Sequence, residues 1–207
     1  MRKSLKSSSP TLKHEKYLWG EGIRHIAGID EVGRGPLAGA VVAAAVVLDP
    51  ICSIEGLQDS KRLSDKRRRL LDVEIRNRAL DFSIGRAEVS EIDDLNIFQA
   101  TMLAMQRAFL GLTSSVEFAL VDGNRLPELP CRAEYLVKGD SKSDAIKAAS
   151  IIAKVHRDEF MIELDKKFPI YAFAQNKGYG TAHHLNALKE SGYSRFHRKT
   201  FKGVIAE

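Results

Sequence analysis

The sequence predicts an α/β or α+β domain: a mixed sheet with helices on its faces. Three observations lead there. Residues 26–48 carry two apolar runs rich in Ile, Val and Ala on either side of a short polar break, the pattern of two adjacent buried strands. Strand and helix patterns then alternate to about residue 168, and strand runs followed by such alternation suit a mixed sheet covered by helices. No internal repeat is visible, and low complexity is confined to the Ser- and Lys-rich first ten residues.

In chain order, residues 1–10 read as disordered, and 11–24, with Tyr17, Leu18 and Trp19 among charges, as a short helix. Ile26–Ile29 and Val41–Leu48 are the first strands, and Asp49-Pro50 is a turn. Ser64 is a suitable N-cap for a helix from Asp65 to about Ala79, with a narrow apolar stripe of Leu70, Leu71 and Ile75 and a basic outer face. Ala79–Val89, partly alternating through Phe82, Ile84, Ala87 and Val89, is a third strand. Asp93–Phe109 carries one helical pattern through Ile97, Ala100, Thr101, Ala104, Met105 and Ala108. Ser115–Val121 is a buried strand ending at Asp122-Gly123-Asn124, 126–130 a proline-containing loop and Ala133–Val137 a further strand. Ser143 caps a long helix from Asp144 to about Phe168, whose alanines at 145–153 imply close packing on the sheet, and Pro169 follows it. From Phe173 the chain is irregular, with a helix expected over Ala182–Ser191. The organisation expected is a tail and short helix (1–24), a main domain (25–170) and a C-terminal helical extension (171–207), together one compact unit.

Composition sets limits. The 207 residues are ample for one core, and 44% hydrophobic with 29% charged residues is ordinary for a globular protein. A net charge of +5 and a pI near 9.2 favour polyanionic partners without proving one. Cys52 and Cys131 lack metal-ligand spacing and are expected as reduced thiols in a cytoplasmic protein. The basic N-terminus has no apolar core of a secretory signal. The longest apolar run, 40–48, falls short of the ~18–20 residues a membrane helix needs, so no membrane association is expected.

The chemistry concentrates in the polar break. Asp30 and Glu31 sit at the edge of a buried run, which is costly unless something pairs with them. A divalent cation is the usual partner of clustered carboxylates. Asp122 at a strand end and Asp140 before the long helix complete four acids that converge if those ends share one sheet edge. Such a set, with no histidine at ligand spacing, selects Mg²⁺ or Mn²⁺ over Zn²⁺. Two such ions ~3.5–4 Å apart can activate water and stabilise a leaving oxygen in phosphodiester hydrolysis. For any one of these acids, a solvated carboxylate or a helix cap is the plain alternative. Asp158 would lie ~20 Å along the long helix from its start, so an ion pair with Lys154 or Arg157 is its expected role.

Gly33, Arg34 and Gly35 put bare backbone N–H groups and a guanidinium beside this charge. Gly33, Gly35 and Gly39 fit neither a dinucleotide fingerprint nor a P-loop; a nucleic-acid backbone over a metal fits better. Basic residues cluster at 61–69 (Lys61, Arg62, Lys66, Arg67, Arg68, Arg69) and in the tail (Lys177, Lys189, Arg195, Arg198, Lys199, Lys202). Tyr179, Tyr193 and Phe196 interleave with the tail cluster, as nucleic-acid surfaces do. His156, His183, His184 and His197 are expected at the surface or at caps, since adjacent His183 and His184 face different ways.

These segments together resemble bacterial ribonuclease HII, the type 2 ribonuclease H. The resemblance rests on residues 26–39 (IAGIDEVGRGPLAG), 59–64 (DSKRLS), 96–105 (NIFQATMLAM), 121–124 (VDGN), 138–158 (KGDSKSDAIKAASIIAKVHRD), 176–184 (NKGYGTAHH) and 197–201 (HRKTF). It implies a ribonuclease H-like fold, with a five-stranded mixed sheet flanked by helices and a C-terminal helical extension. It also implies endonucleolytic cleavage of RNA in RNA–DNA hybrids and at single ribonucleotides embedded in duplex DNA, leaving 5′-phosphate and 3′-hydroxyl ends. Asp30, Glu31, Asp122 and Asp140 match the family's metal-binding catalytic carboxylates, for two Mg²⁺ or Mn²⁺ ions. Gly33, Arg34 and Gly35 match its contact with the ribose 2′-OH, Tyr179 the tyrosine packed on the following deoxyribose, and Lys61 a basic residue near the substrate backbone. Ala40, Thr200 and Gly203 stand where Pro, Ser and Pro are common; Ala40 would loosen the turn into the second strand, and Thr200 keeps a hydroxyl. A junction resolvase or integrase would share the carboxylates but not the 2′-OH device, and a non-catalytic hybrid binder would gain nothing from four acids. A monomer is the default, and docking to a replication partner is left open.

Overall fold

A computed structural model describes residues 13–57, 60 and 63–205. The expectations for residues 1–10 and for Lys61 and Arg62 lie outside these described residues.

Five strands form the sheet: β1 (Ile26–Val32), β2 (Val41–Val47), β3 (Asp81–Ala87), β4 (Phe118–Asp122) and β5 (Arg132–Leu136), in the order β3-β2-β1-β4-β5. The first three are antiparallel neighbours, with Ile29 opposite Ala45 and Ala44 opposite Ile84. β4 and β5 add in parallel, with Ile29 opposite Val121 and Val121 opposite Tyr135. β1 is therefore central, and its C-terminal end lies beside that of β4.

Side chains alternate between the two faces, as the period of a strand requires. Ala27, Ile29, Val41, Ala43, Ala119 and Val121 pack under α4 (Ile97–Leu110). Val42, Ala44 and Val46 pack under α2 (Asp65–Arg78) and α5 (Asp144–Lys167). The alanines of α5 bring its backbone onto β1 as expected: a Cβ on Gly28 would stand 2.1 Å from the Ala145 carbonyl carbon. Leu18 of α1 (Lys13–Gly20) joins Ile26, Leu120 and Ile146 in a smaller cluster. Glu15 of the same helix reaches the start of α5, accepting from the Ser143 hydroxyl at 2.6 Å and the Ala145 N–H at 3.2 Å.

Two helix expectations need correction. The pattern over 93–109 is broken at Asn96, whose φ of 73° separates α3 (Val89–Leu95) from α4. The Asn96 side chain accepts from the N–H groups of Phe98 and Gln99, so a new N-cap restarts the helix. In α2, Leu71 and Ile75 are buried but Leu70 is exposed, and the buried face takes Arg68 instead. Arg68 donates to the carbonyls of Ser60 and Leu63, so this member of the basic cluster faces inward.

The extension contains α6 (Phe173–Asn176) and α7 (Ala182–Ser191). Backbone hydrogen bonds stitch it to the loop between β1 and β2: Leu37 N–H to Gly178, Arg198 N–H to Leu37 and Gly39 N–H to Phe196, each 2.8 Å. Phe196 is partly buried and packs edge-on against Phe160 and Phe168 at the border of the core, so these rings take up the faces that a base would stack on.

The histidines also depart from expectation. His184 and His197 are buried, with their Nε2 atoms 2.9 Å apart. The Tyr179 carbonyl must accept from His184 Nδ1 at 2.9 Å, which leaves His184 Nε2 to accept from His197 Nε2–H and His197 Nδ1 to accept from the Ser194 N–H. Both rings are thus neutral. Burial, then the neighbouring His184, hold His197 down to about 4 against an ordinary 6.5. A base whose folded-state pKa is depressed contributes full stability above the unfolded value and loses it as pH falls towards the folded one. Stability against thermal unfolding should therefore fall as pH drops from 6.5 to about 4, by up to a few kcal/mol. Melting curves of wild type and His197→Gln check this: the variant should be less stable at pH 7.5 and lose less on acidification.

No described helix is long and apolar enough to cross a membrane. Cys52 and Cys131 are free thiols.

Candidate active site

β1 runs on to Val32, beyond the expected end at Ile29, so Asp30 and Glu31 lie within the strand, opposite Ala44 and Ala43 of β2. They meet Asp122 at the end of β4 because the two strands run parallel in register. Carboxylate oxygens of Asp30, Glu31 and Asp122 lie within 4.8 Å of one another. Asp30 is buried and Glu31 and Asp122 are half-buried. Burial first, then the charges of Glu31 and Asp122, push the Asp30 carboxyl well above its usual range. Burial also raises Glu31, opposed by the nearby Arg34 guanidinium. Three acids held this close repel unless a positive charge joins them.

The local partners leave room for such a charge. Asp30 Oδ1 accepts from the Glu31 N–H at 2.8 Å, and the Ser150 hydroxyl of α5 also bonds its carboxylate. Glu31 Oε1 meets Arg34 Nη1 at 3.3 Å. Glu31 Oε2 is buried with no hydrogen-bond partner among the described residues. An orphaned buried oxygen in an all-oxygen acidic cluster is the donor set of a hard divalent cation. Asp122 Oδ1 accepts from the Gly139 N–H, which fixes the end of β4 to the turn at 139–141. Asp140 sits half-buried in that turn, one residue beyond this bond and outside the 4.8 Å group. The structure thus brings three of the four expected acids together and places the fourth next door.

The glycine–arginine–glycine segment turns sharply at Gly33, with φ +92°. Behind it lies Arg157 of α5, whose Nε would be 2.2 Å from a Cβ at this position. Gly35 faces the half-exposed Tyr179, whose Cε1 would lie 3.4 Å from a Cβ there. The loop expected to read the sugar and the ring expected to pack on the next sugar are therefore neighbours, although 144 residues separate Gly35 from Tyr179. The Arg34 side chain is about half exposed.

Asp158 pairs with Lys154 at 2.7 Å, as its spacing along α5 suggested, and lies 3.9 Å from Arg68. Arg157, the other partner considered, instead donates to the carbonyls of Ala38, Ala40 and Lys177 at 3.0–3.2 Å. Arg198, read as part of a basic tail, is fully buried and belongs to the same loop region. Sequence reasoning missed both, because a guanidinium satisfied by carbonyls leaves no pairing pattern. The Ser150 contact was missed too; its only trace was a hydroxyl within an Ala-rich helix face.

Comparison with known proteins gives the family. The family model described as ribonuclease HII matches residues 27–204. The chain is 58% identical over 184 residues to a protein named ribonuclease HII from Aliivibrio fischeri strain MJ11, covering 89% of each. It is 56% identical, with the same coverage, to another of that name from Aliivibrio salmonicida. Among solved structures it is similar to ribonuclease H2 from Pyrococcus horikoshii (TM-score 0.74, 25% identity, 86% of this chain and 94% of that one). It also resembles the ribonuclease HII solved in complex with PCNA from Archaeoglobus fulgidus (TM-score 0.69, 28% identity, 86% and 95%). Bst-RNase HIII, solved in complex with Mn²⁺, shares the fold at 18% identity and a TM-score of 0.71, over 98% of this chain and 74% of that one. A mixed five-stranded sheet, an acidic cluster at the ends of β1 and β4, and a match spanning nearly the whole described chain lead to one conclusion: this chain belongs to the ribonuclease HII family.

Proposed function

We propose that Asp30, Glu31 and Asp122, with Asp140 from the adjacent turn, are the carboxylates with which this chain cleaves the RNA strand of RNA–DNA hybrids. The chain is a metal-dependent endoribonuclease by family. The observation that carries the residue assignment is the three-acid cluster with its unpartnered Glu31 oxygen. Divalent ions bound there would supply an activated water and a stabilised leaving oxygen; we read them as two, Mg²⁺ or Mn²⁺. The P–O3′ bond breaks, the oxygen of water ends on the 5′-phosphate, and the departing 3′-oxygen takes a proton.

The protein's own groups orient this reaction. The Gly139 N–H and the Ser150 hydroxyl hold Asp122 and Asp30 by one oxygen each, which fixes the carboxylates before substrate arrives. Gly33, Arg34 and Gly35 lie where a ribose beside the cluster would present its 2′-OH, the one group that separates RNA from DNA. Tyr179 lies against Gly35, where its ring would pack on the following sugar and crowd an extra hydroxyl. Exposed Lys66 and Arg67 of α2, and Lys61 beyond the described residues, are suited to the flanking phosphates. We read the main domain (25–170) and the extension (171–207) as one unit, because the hydrogen bonds between them build the substrate loop. A monomer suffices for this reading, and PCNA, found in complex with the Archaeoglobus protein, supplies the class of replication partner to test for binding.

The test is a duplex with one embedded ribonucleotide, assayed with and without Mg²⁺ against an all-DNA control. We expect metal-dependent cleavage of the first alone; equal cleavage of the control would sink the reading. Tyr179→Ala should slow cleavage at the single ribonucleotide by about 10-fold or more, the size of one lost stacking contact, and affect long RNA tracts less. Equal losses on both substrates would remove Tyr179 from the junction.

A further inference from the structure

Arg198 has no role in the reaction as described, yet it is the most heavily bonded cation in the described structure. Its Nε donates to the Gly39 carbonyl at 3.0 Å, Nη1 to the Arg34 carbonyl at 2.9 Å, and Nη2 to the carbonyls of Gly33 at 2.5 Å and Gly39 at 2.7 Å. It is fully buried and forms no ion pair among the described residues. The Phe201 ring covers it, 5.0 Å from its Cζ. Burying a guanidinium against neutral carbonyls is costly, and burial, then the like charge of Arg157, lower it to about 9. An apolar side chain in its place would leave the carbonyls of Gly33, Arg34 and Gly39 without this donor, so what the guanidinium fixes is the direction in which those carbonyls point.

The carbonyl geometry gives the charge a use. In a trans peptide the C=O and the following N–H point in opposite directions, and no described peptide bond is cis. When the Gly33 carbonyl turns in to Arg198, the Arg34 N–H turns out. When the Arg34 carbonyl turns in, the Gly35 N–H turns out. Neither N–H meets an acceptor among the described residues. Successive outward N–H groups form a small concavity for an electronegative oxygen, and Gly35 carries no side chain to close it. A lysine has a single nitrogen and cannot span three carbonyls as a planar fork does.

We infer that Arg198, reaching in from the C-terminal extension, is a positioning residue for ribose recognition: it locks two consecutive peptides of the 33–35 loop with their N–H groups facing the sugar. This rests on the reading of that loop as the ribose sensor. Arg198 does not touch substrate. It sets the orientation of groups that do, and its own segment is held from outside: Asp93 accepts from the Lys199 and Thr200 N–H groups at 3.1 Å and from the Thr200 hydroxyl at 2.7 Å.

The experiment measures equilibrium binding in EDTA, so that no cleavage occurs. The probes are a labelled duplex with one embedded ribonucleotide and the all-DNA duplex of the same sequence. Wild type should prefer the first, and Gly35→Ala, which fills the space towards Tyr179, should lose that preference. Arg198→Lys should lower the ribonucleotide-to-DNA affinity ratio by about 3- to 10-fold, the equivalent of one hydrogen bond, with the all-DNA affinity unchanged. If wild type and Gly35→Ala behave so but Arg198→Lys keeps the ratio, or weakens both duplexes equally, the role of Arg198 is overturned while the loop reading stands. If wild type shows no preference, or Gly35→Ala retains it, the loop reading fails and the inference with it. Should Arg198→Lys not fold, Asp93→Ala decides, since it loosens the 198–200 segment without touching the loop: a reduced ratio supports the inference, and an unchanged ratio overturns it.

Discussion

Asp122→Asn should abolish cleavage while leaving hybrid binding close to wild type. The carboxylate is one of three whose oxygens lie within 4.8 Å, and an amide in its place removes a negative charge from the cluster. Loss of an outer hydrogen-bond partner of a metal ligand costs ~10–100-fold, so loss of a ligand itself should exceed that range. Binding should survive because the loop at 33–35, Tyr179 and the basic surface are untouched. The Gly139 N–H meets Asp122 Oδ1, and the asparagine carbonyl can still accept that bond, so the turn keeps its place. Single-turnover cleavage and EDTA binding on the same preparation separate the two effects. Cleavage within 10-fold of wild type would remove Asp122 from the metal site, and loss of binding with metal still loaded would move its role to substrate.

Gly28→Ala should have a large effect on stability, although glycine carries no side chain that takes part in the site. A Cβ there would stand 2.1 Å from the Ala145 carbonyl carbon and 2.3 Å from the Ile146 nitrogen. These are backbone atoms, which cannot rotate aside as a side chain would. Overpacking of this kind costs ~1–3 kcal/mol and occasionally more, and rigid backbone on both sides puts Gly28 at the upper end. For a domain of this size ~3 kcal/mol lowers the melting temperature by ~6–12 °C. The displaced helix carries Ser150, which bonds Asp30, so activity at low temperature should also fall. A melting temperature within 2 °C of wild type would show that α5 and β1 can separate freely.

The Asp30–Glu31 pair could be read from sequence because a charged pair in an apolar run needs a reason. Asp122 followed from its place at a strand end, and the long helix from its cap at Ser143 and its alanines. Convergence of the acids could not be read, since it depends on β1 and β4 being parallel neighbours in one register. Asn96 was hidden because the helical period continues on both sides of the break. Arg198 was hidden because its partners are carbonyls, which every residue has, so nothing in the surrounding sequence distinguishes an inward arginine from a phosphate-binding one. His184 and His197 were misplaced for a similar reason: their ring partners are each other, the Tyr179 carbonyl before α7, and the backbone and hydroxyl of Ser194 beyond it.

The parallel pairing of β1 with β4 also bears on how the chain becomes active. β1, β2 and β3 are joined consecutively and can form from nearby chain. Aligning Ile29 with Val121 must close a loop of about 90 residues, a slow and late kind of contact in folding. The carboxylates meet only at the end of that pairing, where their repulsion opposes the last step of zippering. A nascent or partly folded chain therefore carries the acids apart from one another, and on the proposed assignment cutting ability would arrive together with the completed sheet.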